Sequence, residues 1–286
     1  MKRFFYAVIG MICLALVSCQ KAIDWNLPGG SAPGGGGNGN LVKVVQITGT
    51  DSTVTTYSYD GSKRLIEEKI TGMSGGQDIG TDTKYYRNSN GIITRSVQVV
   101  NAFIPLGVDS VETRYNFNVT INRYTSTVYA ITFMGFTVID STIFTYDGSG
   151  NVIRDEILQS TFGQPFEFSA KDEYTYSAAG NITSMKQYSF DPPTASYDQI
   201  GSYDYTFDGK TNPIRLSANK EAMIMMRSGF MNVNNATQFQ FTDLTGSGQD
   251  FTSSFVYTYN SNNKPSTATM TMTPPGTIYA VTFYYQ

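Results

Sequence analysis

Histidine is absent from all 286 residues. Its absence removes the side chain that most often serves as general base, as activator of Ser and Cys nucleophiles, and as metal ligand. Cysteine occurs twice, at Cys13 and Cys19. With no histidine and no thiol in the body of the chain, zinc centres, Ser–His–Asp triads and thiol chemistry are excluded. Carboxylate chemistry and hard-cation binding survive. Charge is also scarce: Asp, Glu, Lys and Arg make up 15% of the chain, against about 25% in a typical domain. Beyond Val17 no long apolar run occurs, so no transmembrane helix is expected.

What is present begins at the N-terminus. Lys2 and Arg3 precede an apolar run from Phe4 to Val17, which ends Leu16-Val17-Ser18-Cys19. A charged start, a short apolar stretch and a small residue read as an export signal, too short to span a bilayer comfortably. The segment resembles a bacterial lipoprotein signal. That resemblance implies cleavage after Ser18, so that residues 1–18 are signal peptide and Cys19 is the lipidated, palmitate-bearing N-terminus. A plain secretory signal with a chance cysteine is the alternative. If cleavage occurs, the mature chain has one cysteine, it carries lipid, and no disulfide framework is possible. Stability must then come from burial.

Removing Lys2 and Arg3 leaves 18 basic residues against 23 acidic ones, a net charge of −5. That balance argues against nucleic acid or an anionic membrane surface as partner. Residues 19–40 read as a lipidated, Gly-rich tether that cannot pack a core; about 20 such residues reach roughly 25 Å. Trp25 sits in it, at a membrane interface or simply in linker.

From residue 41 to 286 a single β-repeat domain is expected. Thr, Tyr, Phe, Val and Ile dominate, and stretches alternate with period two. Phe251, Ser253, Phe255, Tyr257 and Tyr259 share one face. The organising signal is an internal repeat. Its copies include Tyr57-Ser58-Tyr59-Asp60, Tyr85-Tyr86-Arg87-Asn88, Phe144-Thr145-Tyr146-Asp147, Tyr174-Thr175-Tyr176-Ser177, Tyr205-Thr206-Phe207-Asp208 and Tyr257-Thr258-Tyr259-Asn260, with Phe283-Tyr284-Tyr285 closing the chain. Spacing near thirty residues, as from Tyr146 to Tyr176, fits two strands and two turns. Longer gaps imply degenerate copies near Asn118 to Asn122 and near Asn234-Asn235.

Each copy is a hairpin corner. Asp or Asn opens a type I turn by bonding its own backbone, and Gly three residues on takes φ > 0 and forms a bulge. Asp147 with Gly150 and Ser177 with Gly180 fit this. A second set of turn signals interleaves with the corners, at 72–80, 105–107, 134–135, 163–165, 191–193, 246–248 and 274–276. One set is expected at each end of the sheet. The fold class is therefore all-β: a long antiparallel meander of about sixteen strands, strongly curled or closed into a barrel. One short helix is expected at 219–228, docked by Met223 and Met226 and stopped by Gly229.

The Tyr-x-Tyr-Asp corners followed by Gly-Asn-Val/Ile resemble the Tyr-Asp repeats of Rhs-type proteins. Phe207-Asp208-Gly209-Lys210-Thr211-Asn212-Pro213, Asn234-Asn235 and Tyr257-Thr258-Tyr259-Asn260 with Lys264-Pro265-Ser266 are similar to secreted lipoproteins of Bacteroidota, in an uncharacterised domain family with a porin-like fold. The resemblance covers residues 41–286. It implies an architecture and supplies no catalytic residues.

Candidate chemistry is thin. Glu67-Glu68, Asp155-Glu156 and Asp172-Glu173 are adjacent acids. A glycosidase needs two carboxylates roughly 5–10 Å apart, and neighbours in a strand point to opposite faces. Glu68 and Asp155 occupy equivalent repeat positions and are expected on the solvated surface. Asp60, Asp147, Asp208 and Asn260 invite a calcium reading, but one acid per turn is too few for about six oxygens. The repeat aromatics read as a ladder stabilising neighbouring strands, with any outward subset free to bind a sugar or protein.

The expected protein is a non-catalytic binding or scaffold module, without cofactor or metal, anchored to the cell envelope through Cys19 as an outer-membrane lipoprotein. Either membrane face fits. Its partners are the membrane through the lipid, a glycan or an envelope protein, and no nucleic acid. A carrier for a lipid or other apolar molecule inside the curled sheet is the second reading. A carboxylate-dependent hydrolase is the third. A membrane-embedded porin would need a continuous lipid-facing apolar band, whereas Thr137, Ile139, Ser141, Ile143 and Thr145 share one face.

Overall fold

Period-two sequence with turn residues at regular intervals becomes a β-meander here. The computed structural model describes residues 39–286 except 75–76, 134–135, 162 and 214–231. The signal peptide, Cys19, nearly all of the tether and the helix expected at 219–228 lie outside the described residues.

The first strands are β1 (Leu41–Thr48), β2 (Asp51–Tyr59), β3 (Leu65–Ser74), the two-residue β4 (Gln77–Asp78), β5 (Thr81–Arg87) and β6 (Ile93–Val100). A 3-10 turn, Asn101–Leu106, leads to β7 (Val111–Asn118), β8 (Arg123–Phe133), β9 (Phe136–Tyr146), β10 (Val152–Thr161), β11 (Glu167–Tyr176) and β12 (Ile182–Asp191). The last five are β13 (Ser196–Thr211), β14 (Asn234–Asp243), β15 (Phe251–Tyr259), β16 (Pro265–Thr273) and β17 (Thr277–Tyr285). Every long strand pairs antiparallel with its sequence neighbours. β1 pairs with both β2 and β17, from Leu41↔Tyr285 to Ile47↔Ala280. The sheet is thus a closed barrel of sixteen strands, with β4 a small annex on β3.

In an up-and-down barrel, alternate hairpins fall at opposite rims. Six of the expected corners fall at one rim, between β2 and β3, β5 and β6, β7 and β8, β9 and β10, β11 and β12 (where Ser177 stands for Asx), and β15 and β16, whereas the Asp208 copy lies within β13 and not at a hairpin turn. The degenerate copy expected near 118–122 is the β7–β8 corner. The second set of turn signals makes the other rim. The signal at 134–135 falls outside the described residues.

The corner chemistry is local. Asp60 Oδ1 accepts from the backbone N–H groups of Ser62 and Arg64, each at 2.9 Å. Asp147 Oδ1 accepts from Ser149 (2.9 Å) and Asn151 (2.8 Å). Asn88 and Asn260 do the same for their own turns. The residue three past each of these four needs φ > 0. Gly91 (φ 78) and Gly150 (φ 87) supply it freely; Lys63 (φ 61) and Asn263 (φ 58) adopt it with a side chain.

A register shift follows each corner, beside the second aromatic of the motif: at Ser58/Tyr59, Tyr86/Arg87, Asn116/Phe117, Val152/Arg154, Thr175/Tyr176 and Thr258/Tyr259. A bulge bends the strand and sharpens its twist. It also changes parity. Leu65 pairs with Tyr59, yet it is Glu68, three residues on, that pairs with Tyr57. The same step carries Ile93 to Ser96, Tyr124 to Thr127 and Val152 to Asp155.

The buried face is the inner one, and its core hugs the corner rim. Leu65, Ile93, Tyr124 and Val152 follow their corners and pack with Tyr85, Tyr115 and Phe144. Leu41, Ala268, Phe283 and Tyr285 continue the ring across the seam. Second-position tyrosines fasten this layer. Four of these O–H groups donate to the carbonyl at the start of the preceding strand: Tyr59 to Leu41 (2.7 Å), Tyr146 to Tyr124 (2.6 Å), Tyr176 to Val152 (2.9 Å) and Tyr285 to Pro265 (2.8 Å). The structure aligns Asn88 with Asp60, so Arg87 takes that place in its copy and donates to the Leu65 carbonyl at 2.9 Å. The repeat aromatics are therefore a cross-strand ladder, turned inward.

At Lys63 a glycine relieves the left-handed penalty but gives back unfolded-chain entropy. Lys63→Gly is expected to raise stability by about 0.5 kcal/mol. Denaturant unfolding of the two proteins measures it, and a loss of stability would contradict the turn assignment.

Candidate functional site

The inner wall has two unlike arcs. Along β3 to β11 it carries short polar and acidic side chains. Glu68, Thr83, Ser96, Thr127, Asp140, Thr142 and Asp155 are all buried on it. Along β13 to β15 it is aromatic: Tyr203, Tyr205 and Phe207, then Phe239 and Phe241, then Phe251, Phe255, Tyr257 and Tyr259. Register pairs Tyr203↔Phe241, Tyr205↔Phe239 and Phe241↔Phe251 put these rings on one face. Tyr203 and Phe241 lie 4.8 Å apart, and Tyr203 and Tyr205 run near parallel at 6.2 Å. All nine rings are half-buried, so the surface they keep is turned toward the lumen. A sixteen-stranded barrel is wide enough to hold water there.

The adjoining edges of the two arcs meet near Asp155 and Asp172. These residues are directly opposed on β10 and β11. Asp155 is 4% exposed, and Asp172 is half-buried. Tyr174 O–H donates to Asp155 Oδ2 at 2.7 Å, while Asp155 Oδ1 has no hydrogen-bond partner. Gln187, the neighbour of Asp172 on β12, donates a hydrogen bond to it. Burial pushes the Asp155 carboxyl up, against the pull of the Tyr174 hydroxyl and of the Asp172 backbone N–H. Burial and the nearby Asp155 charge push Asp172 up. Burial also drives the Tyr174 hydroxyl well above its ordinary value. Beyond Gln187 the wall drops to Gly201, where a Cβ would stand 2.7 Å from the Phe241 ring. The glycine lets that ring lie close against the wall.

The expected surface position of Glu68 and Asp155 is thus corrected. Both are buried on the inner face, at 5% and 4% exposure. The bulge after each corner reverses the parity that strict alternation assigns. Their equivalence in the repeat holds. The Asp155–Asp172 couple is a cross-strand pair, and the adjacent acids Glu156 and Glu173 point outward, opposite to their neighbours, into ion pairs with Arg154 (3.3 Å) and Lys171 (2.7 Å). The corner acids are occupied by their turns. Asp208 departs from that pattern: its carboxylate accepts from Lys210 N–H (2.8 Å), from the Asn235 side chain and from Tyr259 O–H. Among the described residues no three His, Cys, Asp or Glu side chains are grouped to hold a metal ion.

The outer wall is charged at mid-strand. Glu112 bridges Arg95 (3.1 Å) and Arg114 (2.9 Å), and Lys84 meets Glu67 at 3.7 Å. Near the rim opposite the corners, Phe168, Phe190 and Tyr197 cluster on this face, with centroids 5.1 to 6.3 Å apart. Lys171 lies over the Tyr188 and Tyr197 rings. Phe166 and Phe168 are 46% and 44% exposed.

No protein-family model matches the sequence, and no curated protein does. Solved structures are similar in fold. A porin-like protein from Bacteroides uniformis superposes with a TM-score of 0.53 at 11% identity, over 86% of this chain and 98% of that one. One from Bacteroides vulgatus gives 0.53 at 10% identity, over 87% and 99%. At these identities the likeness shows the fold, a closed antiparallel barrel of the kind that the resemblance of the 41–286 segment implies.

Carboxyls raised by burial bind protons in the folded state that the unfolded chain releases. The couple's contribution to stability is therefore fully present below about pH 4 and is lost as pH rises through the raised values, while acids held low, such as Asp60 and Glu112, act in the opposite sense in stronger acid. Asp172→Asn is expected to flatten that decline and to stabilise the barrel at pH 8 by about 1 kcal/mol or more. Thermal melts from pH 4 to pH 8 (~0.5-unit steps) follow it; unchanged slopes would contradict the raised couple.

Proposed function

We propose that this protein is a non-catalytic binding barrel of the bacterial cell envelope, tethered to a membrane through a lipid on Cys19, with its lumen as the ligand site. The observation that carries the reading is the inner wall. Half-buried aromatic rings there stand beside a buried acid pair with an unsatisfied carboxylate oxygen, the mix of apolar lining and few convergent polar groups that ligand sites show. The corner rim supplies a floor, because aromatic side chains and tyrosine hydrogen bonds gather there. The opposite rim is then the mouth.

The non-enzymatic part rests on the couple's electrostatics. Both members are pushed in the same direction. A general acid and base that divide a reaction need values pushed apart. The envelope location rests on the signal-like N-terminus and on the porin-like fold shared with the Bacteroides proteins. The outer ion pairs favour a body held in water over one set in lipid. Asn40, at the end of the tether, accepts from Gln286 N–H at 3.1 Å on the corner rim. A tether leaving there directs the mouth away from the membrane.

A second reading has its own observation. The outer cluster of Phe168, Phe190 and Tyr197 is suited to a glycan or an envelope protein.

Cys19→Ala is expected to abolish palmitate labelling and to release the protein from membrane fractions; label retained by the variant would refute the anchor. The lumen reading predicts that protein purified from its native envelope retains a small molecule visible by native mass spectrometry. Met185→Trp, which fills the wall between Tyr174 and Tyr203, should lose that molecule while keeping its melting temperature within a few degrees. Equal retention by both proteins would refute the lumen as the site.

A further inference from the structure

The acid couple lacks what buried acids ordinarily have. Buried charges are paired with opposite charge or fully hydrogen-bonded. Here two carboxyls face one another across β10 and β11, and Asp155 Oδ1 is buried without a partner. Register and alternation turn the nearest basic side chains, Arg154, Lys171 and Lys186, to the outer face. Arg154 and Lys171 are engaged there with Glu156 and Glu173. The titratable groups that share the inner face on β8 to β11 are Tyr124, Tyr129, Asp140, Tyr146, Glu167, Tyr174 and Tyr176, and none is cationic. Gln159 donates to Asp140 at 2.9 Å, so that acid is partly satisfied by an amide. The Asp155–Asp172 couple therefore awaits either protons or a cation from outside the chain.

The shape of the surroundings narrows the cation. Two carboxylates are too few for calcium, which takes about six oxygens or more. An ammonium has three donors and asks less. On one side of the couple lie Gln187 and then Gly201, over which the Phe241 ring is laid, followed by Tyr203 and Phe239. A bound molecule with its charge at the acids would thus run its remaining length along aromatic surface.

We propose that the lumen binds an organic amine, its ammonium seated between Asp155 and Asp172 and its apolar body lying along Tyr203, Phe239 and Phe241. Asp155 Oδ1 supplies the buried acceptor, and Asp172, half-open to the lumen, supplies the entrance. This rests on the lumen being a ligand site, and names the chemistry of the ligand. Binding displaces the protons held by the couple, so affinity for the amine rises between pH 5 and pH 8 (roughly the range in which raised carboxyls ionise).

The test uses the mature chain carrying Cys19→Ala, in solution without detergent. Octylamine, octan-1-ol and octanoate share one tail and differ in head charge. Calorimetric titration at pH 8 is expected to show the amine binding about tenfold or more tightly than the alcohol, with octanoate weakest. Asp172→Asn and, separately, Asp155→Asn are expected to erase the preference for amine over alcohol while leaving alcohol binding in place. If either variant fails to fold, the same comparison on the unsubstituted couple at pH 5 replaces it, where the preference should shrink by about tenfold. Equal binding of amine and alcohol at pH 8 would overturn the proposal and leave the lumen reading standing. Binding of none of the three, together with no molecule retained from the envelope, would overturn both.

Discussion

The whole architecture depends on the bulge that follows each aromatic–Asx corner. The Asx side chain saturates the turn's N–H groups, and the left-handed residue three positions on closes it. The extra residue in the returning strand then turns the side-chain pattern over by one. Three consequences come from this single device: the strand bends enough for sixteen strands to close, the residue after the corner drops into the core, and the residue three further on joins it. The ring of Leu65, Ile93, Tyr124 and Val152, and the deeper ring of Glu68, Ser96, Thr127 and Asp155, are products of the same step.

The device also leaves backbone groups to be satisfied, and the sequence answers in two ways. The Ile93 N–H finds the Tyr124 hydroxyl at 3.1 Å. The Ile182 N–H has no such tyrosine beside it and finds Asn232 Oδ1 at 2.7 Å. Around that exchange Asn181 Oδ1 accepts from Val233 and Asn234, and Asn181 Nδ2 donates to Asn234. The copy expected near Asn234-Asn235 is thus less a corner than a fastening. It ties the return of the long β13–β14 connection to the neighbouring β11–β12 corner.

Much of the fold was legible in one sequence because the repeat places its turn chemistry within five residues. Asp147-Gly148-Ser149-Gly150-Asn151 states its own conformation. Strand number, antiparallel order and the division of turns between two rims follow from counting such units. The acid couple was not legible. Asp155 and Asp172 belong to different strands, and only the register across the β10–β11 hairpin brings them together. A reading by strict alternation sends Asp155 outward, because a bulge is a property of two strands at once. The outer cluster of Phe168, Phe190 and Tyr197 was hidden for the same reason, three strands contributing to one patch.

The seam between β1 and β17 joins the two ends of the domain. Leu41 meets Tyr285, and Lys264 Nζ reaches back to the carbonyl of Gly39 at 2.6 Å. This pairing has the longest sequence separation in the barrel, and loop closure over such a span is entropically slow. A chain made from its N-terminus exposes β1 as an open edge throughout synthesis and export. That edge is a template for pairing with another molecule until the last strand arrives. The hazard is therefore one of timing, and it ends only when β17 has been made and docked.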